Sequence, residues 1–170
     1  MADACIRIGA TVRCAPSTVR PVTERVKFGG PAQPVRHTGS VDVILEAMGE
    51  MAPGAVLVVD DDARTDRACI GDLVVLEARH AGAAALVVNG LHRDTDDLIE
   101  IGLPVFSMGS CPTGPLEWAP GPADALARCQ LGEWTVTRDD YVIGDRDGVI
   151  IVATAQLDEL VRVATAIRDR

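Results

Sequence analysis

Lysine is almost absent from this chain: Lys27 is the only one, every other cationic side chain being arginine apart from three histidines. Chemistry that needs a lysine nucleophile, such as a Schiff base with a carbonyl compound, therefore rests on one residue. No apolar run approaches the roughly 18 residues that a membrane helix requires, so a soluble protein with no membrane partner is expected. The first ten residues hold no basic region followed by an apolar stretch, and so do not read as a secretory signal. A cytoplasmic location is the expectation. The five cysteines, Cys5, Cys14, Cys69, Cys111 and Cys129, include no C-x-x-C pair and no histidine at a zinc-ligand spacing. Reduced, mostly buried thiols follow. Clustered positive charge is lacking as well. The formal net charge is −9, whereas phosphate neutralisation needs grouped Lys and Arg, so nucleic acid is not an expected partner.

What the chain does have is apolar material, 48% of its 170 residues, enough for one ordinary domain over 1–170 with a real core. Short β-rich runs alternate with amphipathic stretches, without a repeat or linker. The pattern predicts strands over 18–26, 32–36, 55–59, 84–88, 105–108, 134–137, 141–143 and 149–152. Helices are predicted over 40–51, 72–81, 94–101 and 155–168, with Ser40 as an N-cap and Gly82 as a C-terminal stop. The result is a mixed α/β domain. Residues 112–122 carry four prolines and two glycines, which makes them a loop or crossover. Gly144-Asp145-Arg146-Asp147-Gly148 sits between two strand candidates and reads as a hairpin turn; its spacing does not fit an EF-hand calcium loop.

Two segments carry the candidate chemistry. In Ala68-Cys69-Ile70-Gly71-Asp72-Leu73-Val74 a glycine ends a loop and a helix pattern begins. The unpaired amides and partial positive charge of such a helix start suit a carboxylate, which makes Gly71, Asp72, Leu73 and Val74 a candidate anion cradle. In Ala85-Leu86-Val87-Val88-Asn89-Gly90 a buried-strand pattern leads into Leu91-His92-Arg93-Asp94-Thr95-Asp96-Asp97. Ligands of α/β sheets sit beyond the carboxyl ends of strands, where this order puts Arg93 and Asp94. The Arg93 fork matches a carboxylate in two bonds. Asp94 and Asp97, three apart, are expected on one helix face. Converging hard carboxylate oxygens with few His or Cys nearby favour Mg²⁺ or Mn²⁺ over Zn²⁺.

Plainer explanations fit the same residues. Asp94, Asp96 and Asp97 would look alike if they only complemented a helix dipole, and Arg93 could pair with one of them on the surface. His92 reads as a loop residue rather than a ligand. His37 and His80 show no partner signal.

The spacing of these residues resembles the signature of the RraA-like proteins, a family that includes metal-dependent 4-hydroxy-4-methyl-2-oxoglutarate and 4-carboxy-4-hydroxy-2-oxoadipate aldolases. That signature is Asp, twenty residues, Arg-Asp, two residues, then an acid. Here it is Asp72, Arg93-Asp94, then Asp97. Gly29-Gly30-Pro31-Ala32, the segment from Pro53 to Asp60, Pro104-Val105-Phe106 and the segment from Gly144 to Val149 resemble family segments too. The resemblance implies a swivelling β/β/α-type sandwich, assembled as a homotrimer or hexamer with sites between subunits. It implies that the backbone of Gly71, Asp72, Leu73 and Val74 binds a pyruvyl carboxylate with Arg93 as second anchor. Asp94 would hold the metal, Asp72 and Asp97 would position waters around it, and an acidic residue of a neighbouring subunit is expected.

The implied activity is that of a class II pyruvate aldolase or oxaloacetate decarboxylase, since both reactions pass through a pyruvate enolate. A water polarised beside Asp72 is the expected base. The family also contains regulators that bind ribonuclease E, which is the alternative, as is action on another 2-oxo acid in a specialised pathway. Departures from the family pattern lie at the start, where the first helix looks shortened, at Arg138-Asp139-Asp140 in place of Pro-Gly-Asp, and at Thr154 in place of a proline. Substrate shape is expected to depend on residues 111–122.

Overall fold

The computed structural model describes residues 1–24, 26–37, 39, 41–115 and 121–169. Its centre is a parallel run of four strands, β3 (Phe28–Arg36), β4 (Val56–Asp60), β6 (Ala85–Asn89) and β8 (Val105–Ser107). Antiparallel strands extend it on both sides. On one edge stand β11 (Asp140–Asp145), β12 (Gly148–Ala153) and β1 (Arg13–Cys14), and on the other β2 (Arg20–Pro21), giving the order β1-β12-β11-β3-β4-β6-β8-β2. A hairpin of β9 (Arg128–Leu131) and β10 (Trp134–Thr137) stands apart from this sheet, as does the two-stranded parallel pair β5 (Ala68–Ile70) and β7 (Leu91–His92). The helices are α1 (Ala2–Arg7), α2 (Asp42–Glu50), α3 (Asp72–His80), α4 (Thr95–Ile101) and α5 (Leu157–Arg168).

The central strands are buried on both faces, so they read as unbroken apolar runs, and alternation assigns their side chains to two cores. Leu57, Val59, Leu86 and Val88 pack with Ile44, Ala47, Val75, Ala78 and Leu98 of α2, α3 and α4. Val56, Val58, Ala85 and Val87 face the other way, onto Cys129, Leu131 and Val136 of the β9–β10 hairpin and onto Val142 and Ile151. Hairpin, sheet and helices thus form β/β/α layers. A third, smaller cluster joins Ala4 and Cys5 of α1 to Val152 and Leu160 of α5.

The predicted helices and most of the strands are present with shifted ends. The α3 helix keeps Asp72 in its first turn and Arg79 and His80 in its last, as the dipole favours, and it stops at Gly82, whose φ of +85° suits glycine. Among the described residues of the 18–26 prediction, Arg20–Pro21 alone pairs as a strand, at the sheet edge to which Pro21, lacking an N–H, is suited. Strand β3 begins four residues earlier than the 32–36 prediction, its Gly-rich start being recruited by pairing with β11. Gly30 lies so close to the turn before β4 that a Cβ there would run into the Gly54 carbonyl oxygen. Helix α5 starts at Leu157 after a 3-10 turn over Thr154–Gln156, and the hairpin turn between Asp145 and Gly148 is present. Helix α1 and strands β1, β5, β7 and β9 have no counterpart among the predicted elements. The proposed cap at Ser40 lies outside the described residues, as do residues 116–120 of the loop.

No helix among the described residues is long and apolar enough to cross a membrane. The cysteines are free thiols, with Cys5, Cys69 and Cys129 buried, Cys111 half-buried and Cys14 exposed.

Candidate active site

Two strand-to-helix corners lie side by side. Strand β5 runs through Gly71 into α3, and strand β7 runs through Arg93 and Asp94 into α4. Pairing of β5 with β7, continued by the Arg93 N–H donating to the Ile70 carbonyl at 3.0 Å, aligns the corners. That alignment brings together residues twenty-two positions apart: the Asp94 Oδ2 atom lies 3.4 Å from the Asp72 N–H nitrogen and 3.1 Å from Arg93 Nε. The first contact is long for a hydrogen bond. Both put positive charge on the same carboxylate oxygen.

The expectation that Asp94 and Asp97 share a helix face needs correcting. Asp94 precedes α4 as its N-cap, in the left-handed region at φ 57° and ψ 44°, and its side chain makes no capping bond. A non-glycine residue held there costs about 1–3 kcal/mol. An N-cap aspartate ordinarily accepts an N–H of its own helix, whereas this one turns to α3 and Arg93. Asp97 lies in the first turn of α4 and lines, with Asp72, Leu76, Arg79, Glu100 and Ile101, a cavity of about 360 Å³ between α3 and α4. Arg93 and Asp94 stand outside that cavity's lining. Among the described residues no group of three or more His, Cys, Asp or Glu side chains stands together as a metal cage. Arg93 does make the surface pair that its plainer explanation foresaw, its side chain being 42% exposed and that of Asp94 32%.

Residues 71–74 start α3 as expected. Gly71 is extended at φ −150° and accepts the Val75 N–H through its carbonyl. Leu73 is 72% exposed beside it, so the helix start opens to solvent. The sole lysine, Lys27, lines a neighbouring groove that shares Arg79, Glu100 and Ile101 with the Asp72–Asp97 cavity. Far from the motif in sequence, Lys27 thus stands on a groove that adjoins it.

Two features were not legible as site residues. His92 is the end of β7 rather than a loop residue, is buried, and bonds Ser107 Oγ through Nδ1 at 2.7 Å and Thr95 Oγ1 through Nε2 at 2.9 Å. Burial holds its pKa below the usual imidazole value, against the pull of the Gly109 backbone and the Asp94 charge. It ties β7 to β8 and to the first residue of α4, on either side of Arg93 and Asp94. The second feature lies at the carboxyl ends of β3 and β4, where His37 Nε2 and Asp61 Oδ1 are 3.6 Å apart and both side chains are buried. Burial, aided by the nearby Asp60 charge and opposed by Arg64, pushes the Asp61 carboxyl up to about 6. A run of acids just after the apolar stretch 55–59 was the only sequence signal for it.

The profile of the RraA-like family, Aldolase/RraA, matches residues 1–151, and the chain belongs to that family. A Halalkalibacterium halodurans protein provisionally named 4-hydroxy-4-methyl-2-oxoglutarate aldolase is 30% identical over 149 residues, covering 87% of this chain and 70% of its own. A Bacillus cereus protein with the same provisional name is 28% identical, covering 88% of this chain and 92% of its own. Among solved structures, Streptomyces coelicolor RraAS2, described as an unusual member of the RNase ES inhibitor RraA protein family, is 26% identical with a TM-score of 0.79, over 98% of this chain and 85% of its own. The mixed α/β, RraA-like fold follows from these likenesses.

Proposed function

We propose that this protein is a divalent-metal-dependent lyase of small 2-oxo acids, cleaving a 4-hydroxy-2-oxo acid or decarboxylating oxaloacetate by way of a pyruvate enolate. The observation that carries the reading is the convergence of the Asp72 amide and Arg93 Nε on one Asp94 carboxylate oxygen. The provisional aldolase names of the relatives at about 30% identity support it.

Asp94 fits Mg²⁺ or Mn²⁺. Its half-exposed carboxylate offers hard oxygen donors, and Mg²⁺ in particular keeps several waters rather than demanding an all-protein cage. When bound, the metal supplies Lewis-acid stabilisation of negative charge on the 2-oxo group. The chain's own residues do the rest. Amides at the start of α3, from Asp72 to Val74, receive the substrate carboxylate, with the helix dipole favouring its charge. Arg93 gives that carboxylate a planar second anchor through its terminal nitrogens, Nε being turned to Asp94. Asp72 and Asp97, on one cavity, hold water, and a water at Asp72 takes the 4-hydroxyl proton in the aldol case. In the decarboxylation no such proton has to leave. We further propose a homotrimer or hexamer in which a neighbouring subunit lends an acidic residue.

Incubation with oxaloacetate and with 4-hydroxy-4-methyl-2-oxoglutarate, with Mg²⁺ or with EDTA, is the test. Pyruvate released from either with Mg²⁺ and suppressed by EDTA is expected; no metal-dependent release from either overturns the reading.

A second reading is favoured by one observation, the RNase-inhibitor description of the Streptomyces relative. In it the chain binds a ribonuclease without chemistry. Capture of a ribonuclease of the E type by protein lacking any lyase activity would reverse the order.

A further inference from the structure

Gly114 lies in a segment that crosses the two corners and is fixed on both sides. The Ala68 N–H donates to the Thr113 carbonyl at 2.7 Å, the Cys111 N–H donates to the His92 carbonyl at 2.9 Å, and Ser110 bridges to His92. Gly114 itself is buried. Its φ is outside the positive range that favours glycine, so its backbone would accept alanine. The three nearest atoms that a side chain there would meet all belong to one neighbour. A Cβ at 114 would stand 2.8 Å from Arg93 Nη1, 3.3 Å from Cζ and 3.7 Å from Nε. Gly71 presents the same situation to the same side chain, where a Cβ would stand 3.0 Å from Arg93 Cγ and 3.0 Å from Nε, and 2.5 Å from Asp94 Oδ2. Gly71 is likewise free of any positive φ.

Two glycines that the backbone does not demand therefore border one arginine. We propose that Gly114, together with Gly71, is a positioning residue: the two leave a slot, free of side chains, that holds the Arg93 guanidinium with Nε on Asp94 and its terminal nitrogens presented to a ligand. An arginine free in solvent samples many rotamers and must be ordered when a ligand arrives. Close packing against the backbone at 71 and 114 does part of that ordering beforehand, and so restricts the plane of the fork on which two-bond recognition depends. The functional weight of the slot rests on the reading that Arg93 anchors a carboxylate, but the slot itself does not.

Because the displaced group would be the end of a flexible side chain, Gly114→Ala is expected to fold with an unchanged thermal midpoint. The probes are the Arg93 Nε–Hε signal in ¹⁵N NMR spectra, identified by its loss in Arg93→Ala, and titration with oxalate, a planar mimic of pyruvate enolate, in the presence of Mg²⁺. Expected are a displaced Arg93 signal, oxalate affinity lower by about 10- to 100-fold, the range that a misplaced anchor commands, and no further loss when Gly114→Ala is added to Arg93→Ala. A Gly114→Ala protein with wild-type signal and affinity overturns the slot. So does a variant that fails to fold, or one whose affinity loss persists undiminished in the Arg93→Ala background, because either places the effect in the backbone. If wild-type protein ignores oxalate and releases no pyruvate, the lyase reading falls, and the arginine signal alone decides: moved, it supports the slot; unmoved, it removes it.

Discussion

An aspartate in the left-handed region at the head of a helix has two ways of offsetting its conformational cost. It can cap its own helix, or it can serve something outside it. Asp94 makes no capping bond and meets Asp72 N and Arg93 Nε instead. Substitution of Arg93 by Ala should then abolish turnover while leaving thermal unfolding near wild type, since a half-exposed ion pair contributes only about 0–1 kcal/mol. Lysine at 93 should restore little, lacking the planar fork. Wild-type kcat/KM in Arg93→Ala would remove Arg93 from the site. Lys27, although it lines the adjoining groove, should be dispensable for chemistry: borohydride added with pyruvate is expected to leave the chain unlabelled, and a covalent adduct would point to a Schiff base.

Asp61 yields a pH prediction of a different kind. Its carboxyl is raised from 3.8 in the unfolded chain to about 6 in the folded one. The folded state therefore binds the proton more tightly, and the associated stability is full below about 4 and is lost as pH rises through about 6. Asp61→Asn should be stabilised relative to wild type at pH 8, with the difference shrinking as pH falls from 6 to 4. Urea unfolding of both proteins at a series of pH values measures this, and a difference independent of pH contradicts it. Beyond the run of acids after 55–59, none of this was visible in sequence, because the burial of Asp61 depends on the chain after β3 and β6 packing beside it. The spacing from Asp72 to Arg93-Asp94 was visible, because it is a fixed interval in the chain that resembles the signature of a family.

At the level of elements, the site depends on the shortest ones. Strands β5 and β7 hold three and two residues, too few to show an alternating pattern, and their pairing exists only because the two corners stack. That is why sequence placed Ala68-Cys69-Ile70 in a loop, while the five-residue apolar runs of β4 and β6 and the periodic helices were readable within a few residues. His92 locks this small sheet to β8 and α4 through Ser107 and Thr95. His92→Ala leaves both hydroxyls without that partner, buried at Ser107 and half-buried at Thr95, and a loss of about 1–3 kcal/mol is expected. Activity should fall by more than that loss of folded protein explains, which a comparison of kcat with folded fraction would reveal. His92→Gln, able to reach hydroxyls, should recover part of it. Equal recovery by any small residue would mean that the ring merely fills space.

For the whole molecule, the layers leave an apolar face uncovered near the candidate site. Leu73 and Leu76 of α3, Leu45 of α2 and Ile99 of α4 are all among the exposed large apolar side chains, and the first two share a cleft with Met48. Single exposed leucines are ordinary, but a group of them on adjacent helices is a feature of contact surfaces. The proposed trimer or hexamer makes activity per chain depend on assembly. Specific activity is expected to fall on dilution together with the oligomer's mass in solution, and constant activity across a dissociating range would show that one chain carries a complete site.

The most direct measurement is a crystal structure with Mg²⁺ and oxalate. The expected density has oxalate against the amides of residues 72–74 and the terminal nitrogens of Arg93, with the metal on Asp94. Oxalate and metal lodged elsewhere, or absent while Arg93 keeps its place beside Asp94, would contradict the assignment of this corner as a 2-oxo acid site.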